Sequence, residues 1–254
     1  RLHEATGDID TTFNWNDRHG TPTTVAVRPD NGLYVGVMLG DKEGGTVVKV
    51  DVTGSRDPTF IAPIFDRMIR YLTLQPDGKL LVAFDLVIPS RIQSPGVVLT
   101  GAKALYRLNV DGTIDSTFTP LEIAPFWTFI APPQLDASGR IYLCNVFGPV
   151  QGVETRHLIR VSAGGVIDPT YPNWESAPTG FNRIISSFAV QPDGKVVLAG
   201  RFTNVLSEQP LQPVVAVRFG SDGNFDSSFQ HTLLFAAFPN ASGDSDYPRA
   251  IVTT

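Results

Sequence analysis

The stretch "GTIDSTF", Gly112–Phe118, decides the fold, because variants of it return along the whole chain. The shared phrase is Gly-x-x-Asp-x-Ser/Thr-Phe/Tyr. Its five copies are "GDIDTTF" ending at Phe13, "GSRDPTF" at Phe60, "GTIDSTF" at Phe118, "GVIDPTY" at Tyr171 and "GNFDSSF" at Phe229. Successive aromatic residues lie 47 to 58 residues apart. A period of this length fits one four-stranded β-blade per copy.

A second element, "QPDGK", lies ahead of two of these phrases, at Gln75–Lys79 and Gln191–Lys195. Weaker forms of it are "RPDNG" at Arg28–Gly32 and "LDASGR" at Leu135–Arg140, the latter departing most from the pattern. Apolar runs flank each form, and Asp-Gly between such runs is a strong hairpin signal. Since the copies keep the turn and lose the Lys or the Pro-Asp, we interpret this element as a hairpin corner and not as a binding motif.

One repeat therefore reads strand a, Pro-Asp-Gly turn, strand b, variable loop, strand c ending in a basic residue, Gly turn, and a short strand d ending in the aromatic. The basic residues are Arg1, Lys49, Arg107, Arg160 and Arg218. We expect the Asp of the phrase to accept backbone N–H groups in an Asx-turn. The basic residue is expected to reach the same carboxylate, and the aromatic ring to pack between blades.

The repeats predict an all-β fold, a β-propeller of four-stranded antiparallel blades in a single domain, residues 1–254. Complete repeats fall at about 14–60, 61–118, 119–171 and 172–229, with 1–13 and 230–254 as a partial repeat. This gives about five blades; the alternative is an open fragment of a larger propeller. An incomplete blade exposes strand edges that favour association with a partner or a flanking domain.

The pattern resembles the delta-sixty repeat family of bacterial β-propeller-like proteins. The residues that carry the resemblance are "LTLQPDGKLLVAF" with "LYRLNVDGTIDSTF", and "FAVQPDGKVVLAG" with "VRFGSDGNFDSSF". The resemblance implies a repeat domain of a larger secreted or cell-surface protein. It implies no particular activity, because such repeats occur in proteins of varied function.

Composition and motifs exclude several classes of partner and cofactor. The net charge is −5 without a basic cluster, which argues against nucleic acid. No run of about 18 apolar residues is present, so no membrane span is expected. No cofactor fingerprint appears, and the four histidines lack zinc-site spacing. One weak metal candidate remains, a calcium ion at Asn109, Asp111 and Asp115, although the other copies lack its early ligands.

Because antiparallel strands alternate in direction, the two kinds of repeated turn share one face, and the irregular loops share the opposite, variable face. Binding residues tend to lie on such loops. The b–c loops are approximately 39–46, 85–103, 147–157 and 202–213, and the second could fold over the mouth or pair with a partner. The candidate ligand-binding residues on this face are His19, Asp66, Arg67, Trp127, Asn182, Arg183 and Arg249, joined by Trp15 and Trp174. The tryptophans suit stacking on a sugar ring; the alternative is packing between blades.

These observations favour a non-catalytic ligand-binding or adhesion module that binds glycan or protein on the variable face. The motifs of common catalytic sites are absent from the sequence, which argues against an enzyme. Two alternatives stay open. One is a structural spacer without a ligand, and the other is a glycoside hydrolase or lyase with paired carboxylates at the propeller mouth.

Overall fold

The computed structural model of the protein describes residues 2, 6–15, 20–40, 44–84, 97–98, 103–122, 131–172, 183–203 and 213–229. The chain forms two compact units, Arg1–Thr128 and Phe129–Thr254, which are taken in turn. All regular structure in the described ranges is β-strand, so the predicted all-β class is confirmed. No described segment forms a helix long and apolar enough to cross a membrane. The single domain over 1–254 stays a prediction.

The first unit contains the sheets of repeats 1 and 2. Its strands are β1 (Thr21–Val27), β2 (Leu33–Met38), β3 (Gly45–Val50), β4 (Ile64–Phe65), β5 (Ile69–Leu74), β6 (Leu80–Phe84), β7 (Val97–Val98), β8 (Lys103–Leu108) and β9 (Leu121–Glu122). Repeat 1 has the order β1-β2-β3-β4-β7 and repeat 2 the order β5-β6-β8-β9. The first four strands of each sheet pair antiparallel with their neighbours, as a propeller blade requires.

The fourth strand of these blades does not lie where the sequence pattern placed it. Residues 54–60 and 112–118 form only an isolated bridge followed by turns, and the paired fourth strands, β4 and β9, come after the phrase. The physical reason is visible in repeat 2. The Asp115 N–H donates to the Arg107 carbonyl at 2.9 Å, and the Phe118 N–H donates to the Asp115 carbonyl at 3.2 Å. The first bond belongs to a single bridge between the phrase and the end of strand c, and the second turns the chain at the Asp, so the ladder does not extend along the phrase.

The long loop of repeat 2 contributes a strand to repeat 1. Its residues Val97–Val98 form β7, which pairs in parallel with β4 at the outer edge of the first sheet. An added strand satisfies backbone groups that an edge would otherwise expose. Part of the predicted partner-pairing loop therefore pairs within its own unit, while residues 85–96 and 99–102 lie outside the described part.

The second unit contains the sheets of repeats 3 and 4. Its strands are β10 (Gln134–Leu135), β11 (Ile141–Val150), β12 (Val153–Val161), β13 (Arg183–Val190), β14 (Val196–Thr203) and β15 (Pro213–Phe219). They form two three-stranded antiparallel sheets, β10-β11-β12 and β13-β14-β15. Residues 147–157 form no open loop but complete a long β11–β12 hairpin. Its two-residue turn, Gln151-Gly152, has positive φ at both positions, which the favoured hairpin turns require.

Neighbouring repeats bury their apolar faces against each other within each unit. In the first unit Tyr34 and Phe60 of repeat 1 pack against Leu72 of repeat 2, and in the second Tyr142 and Tyr171 pack against Phe188. Such a ring contributes about 1.5–3 kcal/mol when it is fully buried. The predicted packing of the phrase aromatic between blades is thus confirmed for Phe60 and Tyr171.

Candidate functional site

The repeat face is built from one corner that recurs in every phrase. The Asp Oδ1 accepts hydrogen bonds from the backbone N–H and the hydroxyl of the Ser or Thr two residues later. In repeat 2 the distances from Asp115 to Thr117 are 2.9 and 2.7 Å. The same pair of bonds holds Asp10, Asp57, Asp168 and Asp226. The predicted Asx-turn is confirmed in all five copies.

The basic residue of strand c completes the corner. Asp115 Oδ2 accepts from Arg107 Nε at 2.7 Å and from Lys79 Nζ at 2.7 Å, so the lysine of the "QPDGK" turn reaches the same carboxylate. The pairs Lys49–Asp57, Arg160–Asp168 and Arg218–Asp226 repeat the contact in the other corners. The ring of the phrase lies beneath the guanidinium, with Arg160 4.0 Å from the Tyr171 centroid. Charge, hydrogen bonds and aromatic packing therefore meet at one point in repeats 2, 3 and 4.

These corners make the stability of the fold depend on pH in acid. The hydrogen bond from Lys49 holds the pKa of Asp57 well below its usual range. Burial raises the pKa of Asp115, but hydrogen bonds from Lys79 and Thr117 outweigh it and hold that pKa well below its usual range too. A carboxylate with a lowered folded pKa stabilises the fold fully above its unfolded pKa, about 3.9, and loses this stabilisation as pH falls through the folded value.

We therefore expect the urea midpoint of unfolding to stay roughly constant between about pH 5 and pH 8 and to fall below about pH 4. Urea titrations at fixed ionic strength, followed by far-ultraviolet circular dichroism, measure this. A midpoint that stays level down to about pH 2 would contradict the role given to the corners.

The turn between strands a and b is held by a pairing that the sequence pattern did not reveal. The first turn residue lies six positions before a strand b residue that is either tyrosine or aliphatic. With tyrosine the turn residue is charged: Arg28 lies 5.7 Å from the Tyr34 ring centroid, and the Tyr142 hydroxyl donates to Asp136 at 3.1 Å. In the other two repeats the turn residue is Gln75 or Gln191, and the residue six positions later is Leu81 or Val197.

This pairing explains why the third turn departs in sequence. Asp136 N–H donates to the Arg140 carbonyl and Gly139 N–H to the Asp136 carbonyl, which are the bonds that Gln75–Lys79 makes. The turn geometry is therefore kept. Asp136 stands at the position of Gln75, and Arg140 takes the place of Lys79.

Hydrogen bonds from phrase to turn link one repeat to the next. The residue after the aromatic donates its N–H to the c–d turn of the following repeat: Asn14 to the Thr53 carbonyl at 2.8 Å, and Ile61 to the Asp111 carbonyl at 2.9 Å. After Tyr171 the chain has Pro172, which has no N–H, and Arg160 Nη1 instead donates to the Ser221 carbonyl at 2.6 Å. The repeated residues of this face thus serve the scaffold.

The weak calcium candidate falls on this face, and its groups are engaged in the turn. Asn109 Nδ2 donates to the Thr113 hydroxyl at 3.0 Å, and Asp111 Oδ1 accepts from Thr113 at 2.7 Å. Both oxygens of Asp115 accept hydrogen bonds within the corner. No group of metal-ligating side chains occurs among the described residues.

The variable face has a charged pair where strand d turns into strand a. Asp66 and Arg67 follow β4 directly and are only 2% and 7% exposed. The backbone of Gly44 and Gly45 runs close to the carbonyl groups of Phe65 and Arg67. A Cβ at Gly44 would lie 2.1 Å from the Phe65 carbonyl, and one at Gly45 2.9 Å from the Arg67 carbonyl. Buried charges are rare unless they are paired or used.

The neighbouring tyrosine responds electrostatically to this pair. Burial raises the pKa of Tyr106, and the Asp66 carboxylate raises it further, whereas the Arg67 guanidinium opposes the rise. Glu122, exposed on β9, adds to the rise. Tyr106 belongs to β8, and its ring centroid lies 5.5 Å from that of Phe65, the residue before Asp66, so the phenol stands close to the d–a loop. Asp66 and Arg67 were predicted site residues, whereas Tyr106 carried no sequence signal for this place.

Of the other predicted site residues, two lie in the described part of the chain and the rest lie outside it. Trp15 is partly buried and packs against the valine cluster of repeat 1, Val35, Val37, Val48 and Val50, which favours a packing role. Arg183 begins β13. His19, Trp127, Trp174, Asn182 and Arg249 lie outside the described residues.

Comparison with known proteins agrees with this architecture. Residues 100–118 and 191–229 match the family model described as "Domain of unknown function (DUF5122) beta-propeller". The fold is thus of the β-propeller class. Over these residues the match confirms the resemblance to the delta-sixty repeat family. No match was found among curated proteins.

Several solved structures resemble the chain at low identity. A protein of unknown function from Bacteroides caccae is 10% identical, with a TM-score of 0.41 and coverage of 82% of this chain and 66% of that one. The gluconolactonase XC5397 from Xanthomonas campestris is 15% identical, with a TM-score of 0.38 and coverage of 79% and 59%. Virginiamycin B lyase from Staphylococcus aureus is 11% identical, with a TM-score of 0.41 and coverage of 84% and 71%. The chain thus spans 66% of the length of the Bacteroides caccae protein and 59% of the length of the gluconolactonase. No activity is transferred from any of them.

Proposed function

We propose that the protein is a non-catalytic binding module whose variable face binds a glycan or a protein, in a secreted or surface-exposed setting. The observation that carries this proposal is the contrast between the two faces. On the repeat face the phrase carboxylates are used by internal corners. On the variable face, the adjacent residues Asp66 and Arg67 are both buried, and both act on the pKa of Tyr106. Two buried charged side chains such as Asp66 and Arg67 suit the polar centre of a ligand-binding site.

The glycan class of ligand is supported by the composition of this face. By the sequence pattern, two further d–a crossovers contain Trp127 and Trp174, and aromatic rings beside hydrogen-bonding groups suit a sugar ring. A microarray of bacterial and plant polysaccharides, probed with the labelled 254-residue chain, tests the class directly. Retention of one polysaccharide family supports the proposal. Release of reducing ends from that polysaccharide would replace it with the hydrolase alternative.

The role of the charged pair is tested by Asp66→Asn, with Asp111→Asn on the repeat face as the matched acid-to-amide control. We expect Asp66→Asn to weaken binding of the retained polysaccharide at least about tenfold, since central polar anchors dominate binding energy. Asp111→Asn is expected to bind like the wild type. Affinity is measured by isothermal titration calorimetry well below each variant's melting temperature. A folded Asp66→Asn protein with unchanged affinity would show that the pair is only structural.

A further inference from the structure

The first strand of three repeats carries one extra residue at the same place. In repeats 1, 2 and 4 the pairing of strands a and b shifts by one position, which leaves Thr23, Arg70 and Ser186 outside the ladder. Each of these residues lies five positions before the first residue of the a–b turn. A β-bulge of this kind takes a side chain out of the alternation of its strand, and bulges are common next to active sites.

In repeat 1 the bulged residue serves the scaffold. The Thr23 hydroxyl oxygen lies 2.8 Å from the Ile69 carbonyl oxygen of repeat 2 and 3.1 Å from the Gly36 carbonyl oxygen of its own sheet. A Cβ at Gly36 would lie 2.8 Å from the Thr24 methyl group, so the backbone is close around the bulge. Thr23 therefore joins the first strands of repeats 1 and 2.

In repeat 2 the same position holds a charged side chain. Arg70 is exposed, whereas Ile69 directly before it is fully buried. The guanidinium carbon of Arg70 lies 5.6 Å from the ring centroid of Tyr71, which is half-buried. An aromatic face attracts a cation without neutralising its charge. The bulge thus places a positive charge beside an aromatic ring, three residues after Arg67 of the candidate site.

This end of repeat 2 has a surplus of positive charge, although the net charge of the chain is −5. Among the described residues it carries three cations and two anions, which are Arg67, Arg70, Lys103, Asp66 and Glu122. The rest of the b–c loop, outside the described residues, adds one charge of each sign, Asp85 and Arg91, and leaves the balance unchanged. Glu122 is the strand partner of Lys103, whereas Arg70 lies at the opposite edge of the sheet. This arrangement suits a ligand that carries negative charge.

Building on the proposed function, we propose that the ligand of the variable face carries carboxylate groups, as a polysaccharide of uronic acid units does, and that Arg70 binds one of them. A guanidinium donates two parallel N–H bonds to a carboxylate, which fixes its orientation. The Tyr71 ring offers a flat apolar face to the sugar that bears the carboxylate. A charge and a ring side by side favour a uronic acid over an acidic peptide, because a uronic acid holds both matching features in one unit.

The probes are three uronic acid polysaccharides, polygalacturonate, alginate and polyglucuronate, each as the free acid and as its methyl ester. The two forms share a backbone and differ in charge. We expect the whole chain to bind the acid form of at least one of them at least about tenfold more tightly than its ester in isothermal titration calorimetry. Added salt should reduce this preference, because exposed charges are screened.

Arg70→Thr tests the residue itself, and it places at this bulge the residue that repeat 1 has at Thr23, so the variant is expected to fold. The preference for the acid over the ester should fall by at least about tenfold, while binding of the ester stays the same. A merely structural role of Arg70 would weaken binding of both forms equally. The matched control is Arg56→Thr, which removes an exposed arginine of the repeat face and should keep the preference of the wild type. Circular dichroism verifies the fold of both variants first.

Three results would overturn the inference. The first is no preference for the acid in any of the three pairs. If the chain then still binds a neutral polysaccharide or a protein, the proposed function stands and only the carboxylate is wrong; if it binds neither, both fall. The second is a preference that Arg70→Thr leaves unchanged. The third is binding of polyglutamate as tight as that of the acidic polysaccharides, which would assign the site to an acidic peptide.

Discussion

Replacing Asp115 with asparagine is expected to lower the free energy of unfolding by about 3 kcal/mol, the cost of leaving a buried charge without its partner. Asp115 is 4% exposed and Arg107 beneath it is 8% exposed. The asparagine keeps the shape of the side chain but loses the negative charge that Arg107 Nε and Lys79 Nζ contact, each at 2.7 Å. Equilibrium unfolding in urea at pH 7 measures the change.

The matched control is Asp57→Asn in repeat 1, which changes the same atom of the same corner. The Lys49–Asp57 pair is more exposed, at 20% and 27%, and Gly32 stands where repeat 2 has Lys79. Exposed ion pairs contribute little to stability, so the loss should be clearly smaller. Equal losses in the two variants would show that the Asx-turn, which both corners share, stabilises the fold and the buried charges do not.

The sequence predicted this corner well because all of its members lie within a few residues of a repeated phrase. The Asp, its Ser or Thr and the aromatic are local, and the basic residue recurs eight positions before the Asp in four copies. Repetition separates such positions from chance. It also revealed the hairpin turns, although the Tyr142–Asp136 bond showed only in the structure.

Elements set by contacts between distant residues were not predictable in the same way. Strands β4 and β9 are two residues long, and no two-residue stretch carries a period, so the fourth strand was placed inside the phrase. The sequence pattern predicts a loop at 147–157, where the structure has the β11–β12 hairpin. Gln151-Gly152 between two valines is nevertheless a signal for a two-residue turn.

The variable-face site shows the limit most clearly. Counting back from the turns placed Asp66 and Arg67 on the correct loop. Gly44 and Gly45, which lie more than twenty residues earlier, pack against the Phe65 and Arg67 carbonyls. No local pattern encodes this approach. The sequence therefore placed Asp66 and Arg67 on the d–a loop but did not show that they are buried.

A glycine in the c–d turn carries the second large effect that we expect. Gly112 has a φ of 94°, and a Cβ there would lie 2.8–2.9 Å from backbone atoms of Ile61 and Ala62. Gly112→Ala would therefore both strain the turn and push away the chain whose Ile61 N–H donates to the Asp111 carbonyl. The left-handed conformation costs about 1–2 kcal/mol, and forced overpacking adds about 1–3 kcal/mol.

Gly78→Ala separates these two contributions. Gly78 has a similar φ of 82°, but its nearest neighbour would be a Val110 methyl group at 3.3 Å, which can move aside. We expect a loss of about 1 kcal/mol for Gly78→Ala and about 3 kcal/mol for Gly112→Ala in urea unfolding. Hydrogen exchange should speed up at the Ile61 amide in Gly112→Ala only. Equal losses, or an Ile61 amide that stays protected in Gly112→Ala, would mean that the phrase-to-turn contact does not hold repeats 1 and 2 together.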